Sequence, residues 1–356
     1  MDDDIYRFIL EDTILHIPDG YLSLQTTIPA FAGMIPVWGT ALGRLKKTMS
    51  SKSVPTLALC SAFSFVIMMF NVPVIGGSSA HAVGAVFIAI LMGPSAAVIS
   101  VSTALLIQAL VFGDGGIMSF AVNCLNMAVV MPVAGYYIYR LFSSKSKTGS
   151  PRNLAAAFAG SYIGINLAAF CAAVAFGLQP LLFTASDGTP LFCPYPLSVS
   201  IPTMMFEHSL IAGPVEGLLT VLALTYLVKF APGLFDAHRF SVVSQPVTAA
   251  PKNRAFLILV VILVCLTPLG LFAAGTAWGE WDTSEMKSLL GFIPQGLASV
   301  SGKWNALFPD YSVPVSGADP FGAAAGYVIA AVIGIVLIGG LIFLTSRLMT
   351  RKEEEK

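Results

Sequence analysis

The sequence predicts an all-α, polytopic membrane protein of about nine transmembrane helices, and three observations carry that expectation. Of 356 residues, 56% are hydrophobic and only 11% charged, with a mean hydropathy of +0.81, whereas a water-facing surface wants roughly a quarter or more of its residues charged. No residue between Lys52 and Asp114 is formally charged; apolar runs long enough for a bilayer core of about 30 Å form helices, because backbone polar groups must be satisfied inside the segment. Most basic residues fall in four clusters separated by apolar stretches. The 19 Lys and Arg balance 19 Asp and Glu, which excludes a generally basic nucleic-acid binder. The five cysteines are scattered without a CxxC, so neither a structural zinc nor a disulfide framework is indicated.

Read in order, the first span is residues 24–42, between Asp19 and Arg44. The uncharged stretch 53–113 holds three spans, with breaks at 71–80 and at Gly93-Pro94. The fifth is 118–139, the sixth 154–177 and the seventh 201–228. The eighth is 256–273, and a long polar stretch precedes the ninth, 323–344. This divides the chain into an N-terminal extension (1–14), a main membrane domain (15–235), a cytoplasmic linker (236–254) and a two-helix C-terminal module (255–356). Gly39 and Gly43 in the first span are spaced for close helix approach.

Orientation follows from the basic clusters. Arg44, Lys46, Lys47 and Lys52 follow the first span, Arg140, Lys145, Lys147 and Arg152 the fifth, and Lys229, Arg239, Lys252 and Arg254 the seventh. Arg347, Arg351, Lys352 and Lys356 close the chain. Nine spans put all four clusters on one side, which the positive-inside rule makes cytoplasmic. The N-terminus, with Asp2, Asp3, Asp4, Glu11, Asp12 and Asp19, is then outside and the C-terminus inside. Residues 1–14 lack the basic start of a signal peptide and read as an outward extension.

That topology gives the polar residues a depth. His16 precedes the first span, His81 opens the third, Gln108 lies near the outer end of the fourth, and Asn123 and Asn126 share one face of the fifth. All belong to the outer half, beside the turn Gly113-Asp114-Gly115-Gly116. His208 and Glu216, eight apart, share a face of the seventh span, Glu216 lying deeper. Two imidazoles open to the outside suggest Zn, Ni, Co or Cu; each could equally be structural. His208 reads first as a hydrogen-bonding helix residue and His238, in the linker, as incidental. Asp114 also fits ordinary turn chemistry. Glu216, costly inside a helix unless paired, fits a helix-to-helix hydrogen bond as well as a functional role.

The segments His16-Ile17-Pro18-Asp19-Gly20-Tyr21-Leu22-Ser23, Gly76-Gly77-Ser78-Ser79-Ala80-His81 and Gln108-Ala109-Leu110-Val111-Phe112-Gly113-Asp114-Gly115-Gly116, with Asn123 and Asn126, resemble the substrate-capture subunit of nickel and cobalt energy-coupling-factor importers, the CbiM/NikM family, over about residues 15–230. Thr267-Pro268-Leu269-Gly270-Leu271, Gly275-Thr276-Ala277-Trp278-Gly279-Glu280 and Tyr311-Ser312-Val313-Pro314 resemble the small companion N subunit, here fused behind the M part. The resemblance implies a multi-pass protein of the prokaryotic cytoplasmic membrane that captures Ni2+ or Co2+ as cargo. The implied site is nearly square-planar: a free N-terminal amine, the amide nitrogen and imidazole of the next residue, and a second histidine. Carried over, His16 supplies two nitrogens and His81 one, with Gln108, Asn123 and Asn126 orienting the ligands and Asp114, His208 and Glu216 as further polar support. Fused five- and six-membered chelate rings of this kind suit a tetragonal ion such as Ni(II).

The start of the chain departs from that pattern, because Leu15 and fourteen residues before it precede His16. Three accounts are open: Leu15 read as an initiating methionine, which is the expected one; a cleaved extension; or a site with fewer nitrogens and a water or carboxylate. No G-x-x-x-x-G-K-[ST] occurs, so no ATP site is expected in this chain. The resemblance implies a transmembrane coupling subunit and cytoplasmic ATPase subunits as partners, in a lipid membrane. The alternatives are a secondary transporter or channel, which needs a polar path through the membrane, and a membrane metalloenzyme, for which Glu207-His208 is suggestive but no HExxH is present.

Overall fold

The computed structural model describes residues 16–74, 78–237, 253–273, 278, 281, 283–300, 303–313 and 320–350. The extension 1–14, Leu15, His238 and most of the linker 236–254 lie outside them.

The chain is a bundle of helices. The first, α1 (Leu24–Thr48), is 25 residues long and contains Pro29 and Pro36. Next come α2 (Val54–Met68), a hairpin of β1 (Val72–Val74) and β2 (Ser78–Ala80), and the short α3 (Ala85–Met92). Then follow α4 (Pro94–Phe112), α5 (Phe120–Ser143), α6 (Pro151–Leu182), α7 (Leu197–Phe230) and α8 (Arg254–Phe272). Two small helices, α9 (Thr283–Leu290) and α10 (Gln295–Val300), precede the last, α11 (Pro320–Met349). Seven described helices are long and apolar enough to cross a bilayer: α4 to α8, α11, and α2 with the 3-10 turn before it. The outward faces of α8 and α11 present Leu257, Val261, Ile262, Leu266, Val336, Phe343 and Leu344, side chains that suit lipid and not water.

The third expected span is corrected. It is not a helix of about 20 residues opening at His81, but extended chain through Val83 followed by the eight residues of α3. The backbone turns at Gly84, where φ is +71° and a Cβ would come within 2.6 Å of the Phe63 ring, so only glycine fits without strain. Non-helical backbone at membrane depth survives only where protein satisfies it. Here the Val83 N–H donates to Glu216 Oε2 at 2.8 Å, the Gly84 N–H donates to the same carboxylate at 3.0 and 3.1 Å, and Ser64 Oγ donates to the Val83 carbonyl at 2.8 Å. Periodicity could not show this break, because the residues on both sides are equally apolar.

A Cβ on Gly39 or Gly43 would meet nothing within 4 Å among the described residues. Close glycine packing occurs between α5 and α6 instead, where a Cβ on Gly160 would meet the Gly135 carbonyl at 2.5 Å. Such contacts give helices the short separations on which packing in lipid depends.

The C-terminal module is stitched into the bundle. The Trp278 N–H donates to Ser78 Oγ at 2.9 Å, the Phe308 N–H donates to the Val111 carbonyl at 2.9 Å, and the Tyr327 hydroxyl donates to the Met69 carbonyl at 2.9 Å.

Candidate metal centre

His16 is placed by two loops packed face to face. The Asp19 carboxylate accepts the N–H groups of Ile117, Met118 and Ser119 at 3.1, 2.7 and 3.2 Å, capping the start of α5 and pinning 16–19 against 113–119. Burial is the largest influence on Asp19 and pushes its carboxyl up, with the three amides opposing. Asn123 clamps the residue after His16 from both sides, its Oδ1 accepting the Ile17 N–H and its Nδ2 donating to the Ile17 carbonyl, each at 3.2 Å. Gly115, at φ +84°, lies so close that a Cβ there would meet the His16 Cβ at 2.8 Å. The glycine-rich turn is therefore a bed for His16.

Behind the ring is a carboxylate. His16 Nδ1 donates to Asp114 Oδ1 at 2.8 Å, and both side chains are buried. Burial alone would raise the Asp114 carboxyl, but the His16 imidazole, its hydrogen bond and that of Tyr311 outweigh burial and hold it below the usual carboxylate range. It is therefore an acceptor at neutral pH, which fixes the proton on Nδ1. The opposite nitrogen, His16 Nε2, is buried and has no hydrogen-bond partner among the described residues. Such an orphan costs about 1–3 kcal/mol unless something binds it.

His81 faces it. The two ring centroids are 5.0 Å apart with planes inclined at 62°. His81 Nδ1 donates to the Ala82 carbonyl at 3.0 Å, and His208 Nδ1 donates to the Met204 carbonyl at 2.9 Å. All three histidines thus engage an acceptor through Nδ1, the arrangement by which metal-binding imidazoles fix their tautomer and orientation.

His16, His81, Asn123, Asn126 and His208 line one cavity of about 80 Å³. That is room for an ion with some of its water and far below the roughly 300–1,000 Å³ of pockets for drug-sized ligands. Gln108 and Asp114 lie behind His16 rather than in the cavity, and Glu216 lies behind His81, holding the backbone two and three residues on. Glu207 and Trp278, which no sequence pattern singled out as cavity residues, also line it. Among the described residues no three histidine, cysteine or carboxylate side chains converge tightly enough to hold a metal by themselves. Gln108, Asn126 and His208 each sit in a stretch of wide, π-type helical turns, at 108–112, 124–130 and 208–212. Such turns re-aim side chains and recur at functional sites. The expected free amine at Leu15 lies outside the described residues.

Comparison with known proteins is consistent across the chain. The family described as "cobalt uptake substrate-specific transmembrane region" (CbiM) matches residues 16–234, and the PDGLE domain matches residues 252–351. A protein of Rhodobacter capsulatus, named fused nickel transport protein NikMN, is 42% identical over 95% of this chain and 99% of its own length. One from Lactiplantibacillus plantarum, described as a probable fused nickel transport protein LarMN, is 39% identical over 91% of this chain and 95% of its own. A crystal structure described as a truncated transition metal transporter has a TM-score of 0.57 at 49% identity, covering 61% of this chain and 99% of that one.

Proposed function

Since the chain belongs to the CbiM family of nickel and cobalt transport proteins, fused to a PDGLE module, and is thus a multi-pass transport protein rather than an enzyme, we propose that it captures a divalent transition ion from outside between His16 and His81. Ni2+ is the first cargo to test, because the two full-length relatives described above carry nickel in their names; Co2+ is the second. The observation that carries the reading is the buried His16 Nε2, unpartnered among the described residues, in a cavity of ionic size beside a second imidazole. Neutral imidazole is the commonest nitrogen ligand for these ions. Asn123 holds the chain beside His16, and Asp114, itself bonded by Gln108, holds its ring.

A second ligand mode is favoured by one observation, that among the described residues no third histidine, cysteine or carboxylate converges tightly with the pair. The chelate implied by the family resemblance fills the remaining positions with backbone nitrogens at residues 15 and 16, and its ring closes through His16 Nδ1. In that mode the metal displaces Asp114 from Nδ1, whereas in the Nε2 mode Asp114 stays and supports the ligand.

Uphill import is assigned to an energy-coupling-factor assembly, with a membrane coupling subunit and cytoplasmic ATPases supplying the work. The cytoplasmic placement of the basic clusters and the outward placement of the cavity belong to the same proposal. Sealed vesicles containing only this chain should bind Ni2+ near one per protein yet accumulate none against a gradient. Uphill accumulation without ATP and partners would replace the importer subunit with a secondary transporter.

A further inference from the structure

Besides Trp278, which lines the cavity, the companion module reaches His16 through the side chain of Tyr311. Tyr311 lies in the short turn Pro309–Tyr311 between α10 and α11, is 2% exposed, and enters the bundle beside α4. Its hydroxyl donates to Asp114 Oδ2 at 2.5 Å and accepts from Gln108 Nε2 at 2.7 Å, while Gln108 Nε2 also reaches Asp114 Oδ2 at 3.0 Å. The other oxygen of the same carboxylate holds His16 Nδ1. One carboxylate thus joins a histidine 98 residues before it to a tyrosine 197 residues after it.

Two further observations show that this placement is built. The ring of Tyr311 stacks on Phe112, centroids 4.8 Å apart and planes 23° apart, with Phe65 and Tyr327 against its edges at 6.1 and 5.5 Å. The backbone that delivers it is strained: Asp310 and Tyr311 are consecutive non-glycine residues at φ +52° and +58°. Left-handed conformations at such residues persist only where the surroundings over-determine them, and they concentrate at functional sites. Burial, followed by the Asp114 charge, pushes the Tyr311 phenol well above its ordinary value, so the hydroxyl keeps its proton and donates.

We propose that Tyr311 is a positioning residue for metal capture: the module's hydroxyl fixes the Asp114 carboxylate and, through it, the orientation of the His16 imidazole. The proposal rests on His16 being a ligand, and it makes the C-terminal module part of the metal centre rather than an appended pair of helices. Outer partners of metal-ligating histidines typically contribute about 10- to 100-fold to metal affinity.

The test is equilibrium Ni2+ binding to the full chain in lipid nanodiscs, measured on the fraction that elutes as folded protein, for the wild type, Tyr311→Phe, Asp114→Asn and the double variant. Tyr311→Phe keeps the ring and its stacking and removes one hydroxyl. Its Ni2+ affinity should change by about tenfold or more, while in the Asp114→Asn background the same substitution should change affinity by less than about twofold, within the error of additivity. Tyr327→Phe, which loses an equally buried hydroxyl bond to a backbone carbonyl of the bundle, should leave Ni2+ affinity unchanged. Wild-type affinity in Tyr311→Phe overturns the proposal, as does an equal loss in both Asp114 backgrounds or an equal loss from Tyr327→Phe. Absence of Ni2+ binding by the wild type overturns the capture reading itself.

Discussion

The two imidazoles that meet ring to ring in the cavity, His16 and His81, are held by different kinds of support. His16 is backed by side chains: Asp114 grips Nδ1, Gln108 and Tyr311 grip Asp114, and Asn123 clamps the neighbouring peptide. His81 is backed by main chain: its own Nδ1 meets the Ala82 carbonyl, and the two following amides end on Glu216. A side-chain network distributes the load, so single losses are graded. A broken helix that rests on one buried carboxylate loses two amide bonds at once. The His81 side of the cavity should therefore be the more brittle, and the His16 side the more tunable.

The largest effect tests that brittleness. Glu216→Ala leaves the buried Val83 and Gly84 amides unsatisfied, each at a cost of about 1–3 kcal/mol. Its thermal midpoint in nanodiscs should fall and Ni2+ binding should be lost, with Glu216→Gln, which keeps an acceptor oxygen, in between. If Glu216→Ala melts and binds like wild type, His81 does not depend on this cap.

A smaller, graded effect belongs to the His16 side. Asp114→Asn keeps the volume and removes the charge that fixes the Nδ1 proton, so Ni2+ affinity should fall about 10- to 100-fold with little change in thermal stability. Unchanged or tighter binding would assign the metal to Nδ1, because the substitution would then have removed a competitor. This variant also decides between the two ligand modes.

The smallest effect is expected at the cavity's third imidazole, whose Nδ1 has its own acceptor on α7. His208→Ala should alter Ni2+ affinity by about twofold or less, well under 1 kcal/mol. A loss as large as that of His81→Ala would make α7 a third wall of the site and end the two-sided comparison.

Much of this arrangement was legible from the residues. Lipid-length apolar runs carried the helical class, and the short segments around His16, His81 and Asp114 carried the family resemblance that implies one metal site. Glu216 was visible as a buried charge, but its partners are backbone amides 132 and 133 residues away, which no pattern of side chains encodes. The break before α3 was hidden for the same reason, since Ala82 to Met92 reads as continuous apolar helix and only Gly84 marks the turn. Tyr311 sat in a segment legible as a companion-module feature, but its role depends on a left-handed turn at non-glycine residues, which sequence disfavours. His16 was read together with His81, Asn123 and Asn126, and the structure brings these four to one cavity, while the acceptor at its Nδ1 emerged only from the packing of 113–119 on 16–19.

The central claim is that a metal ion sits between the imidazoles of His16 and His81. X-ray absorption at the nickel edge on the loaded protein tests it most directly, because imidazole rings give outer-shell scattering that can be counted. The account predicts two imidazoles in the wild type, one in His81→Ala loaded at high Ni2+, and two in His208→Ala. A wild-type spectrum without imidazole scattering, or one unchanged in His81→Ala, would contradict it.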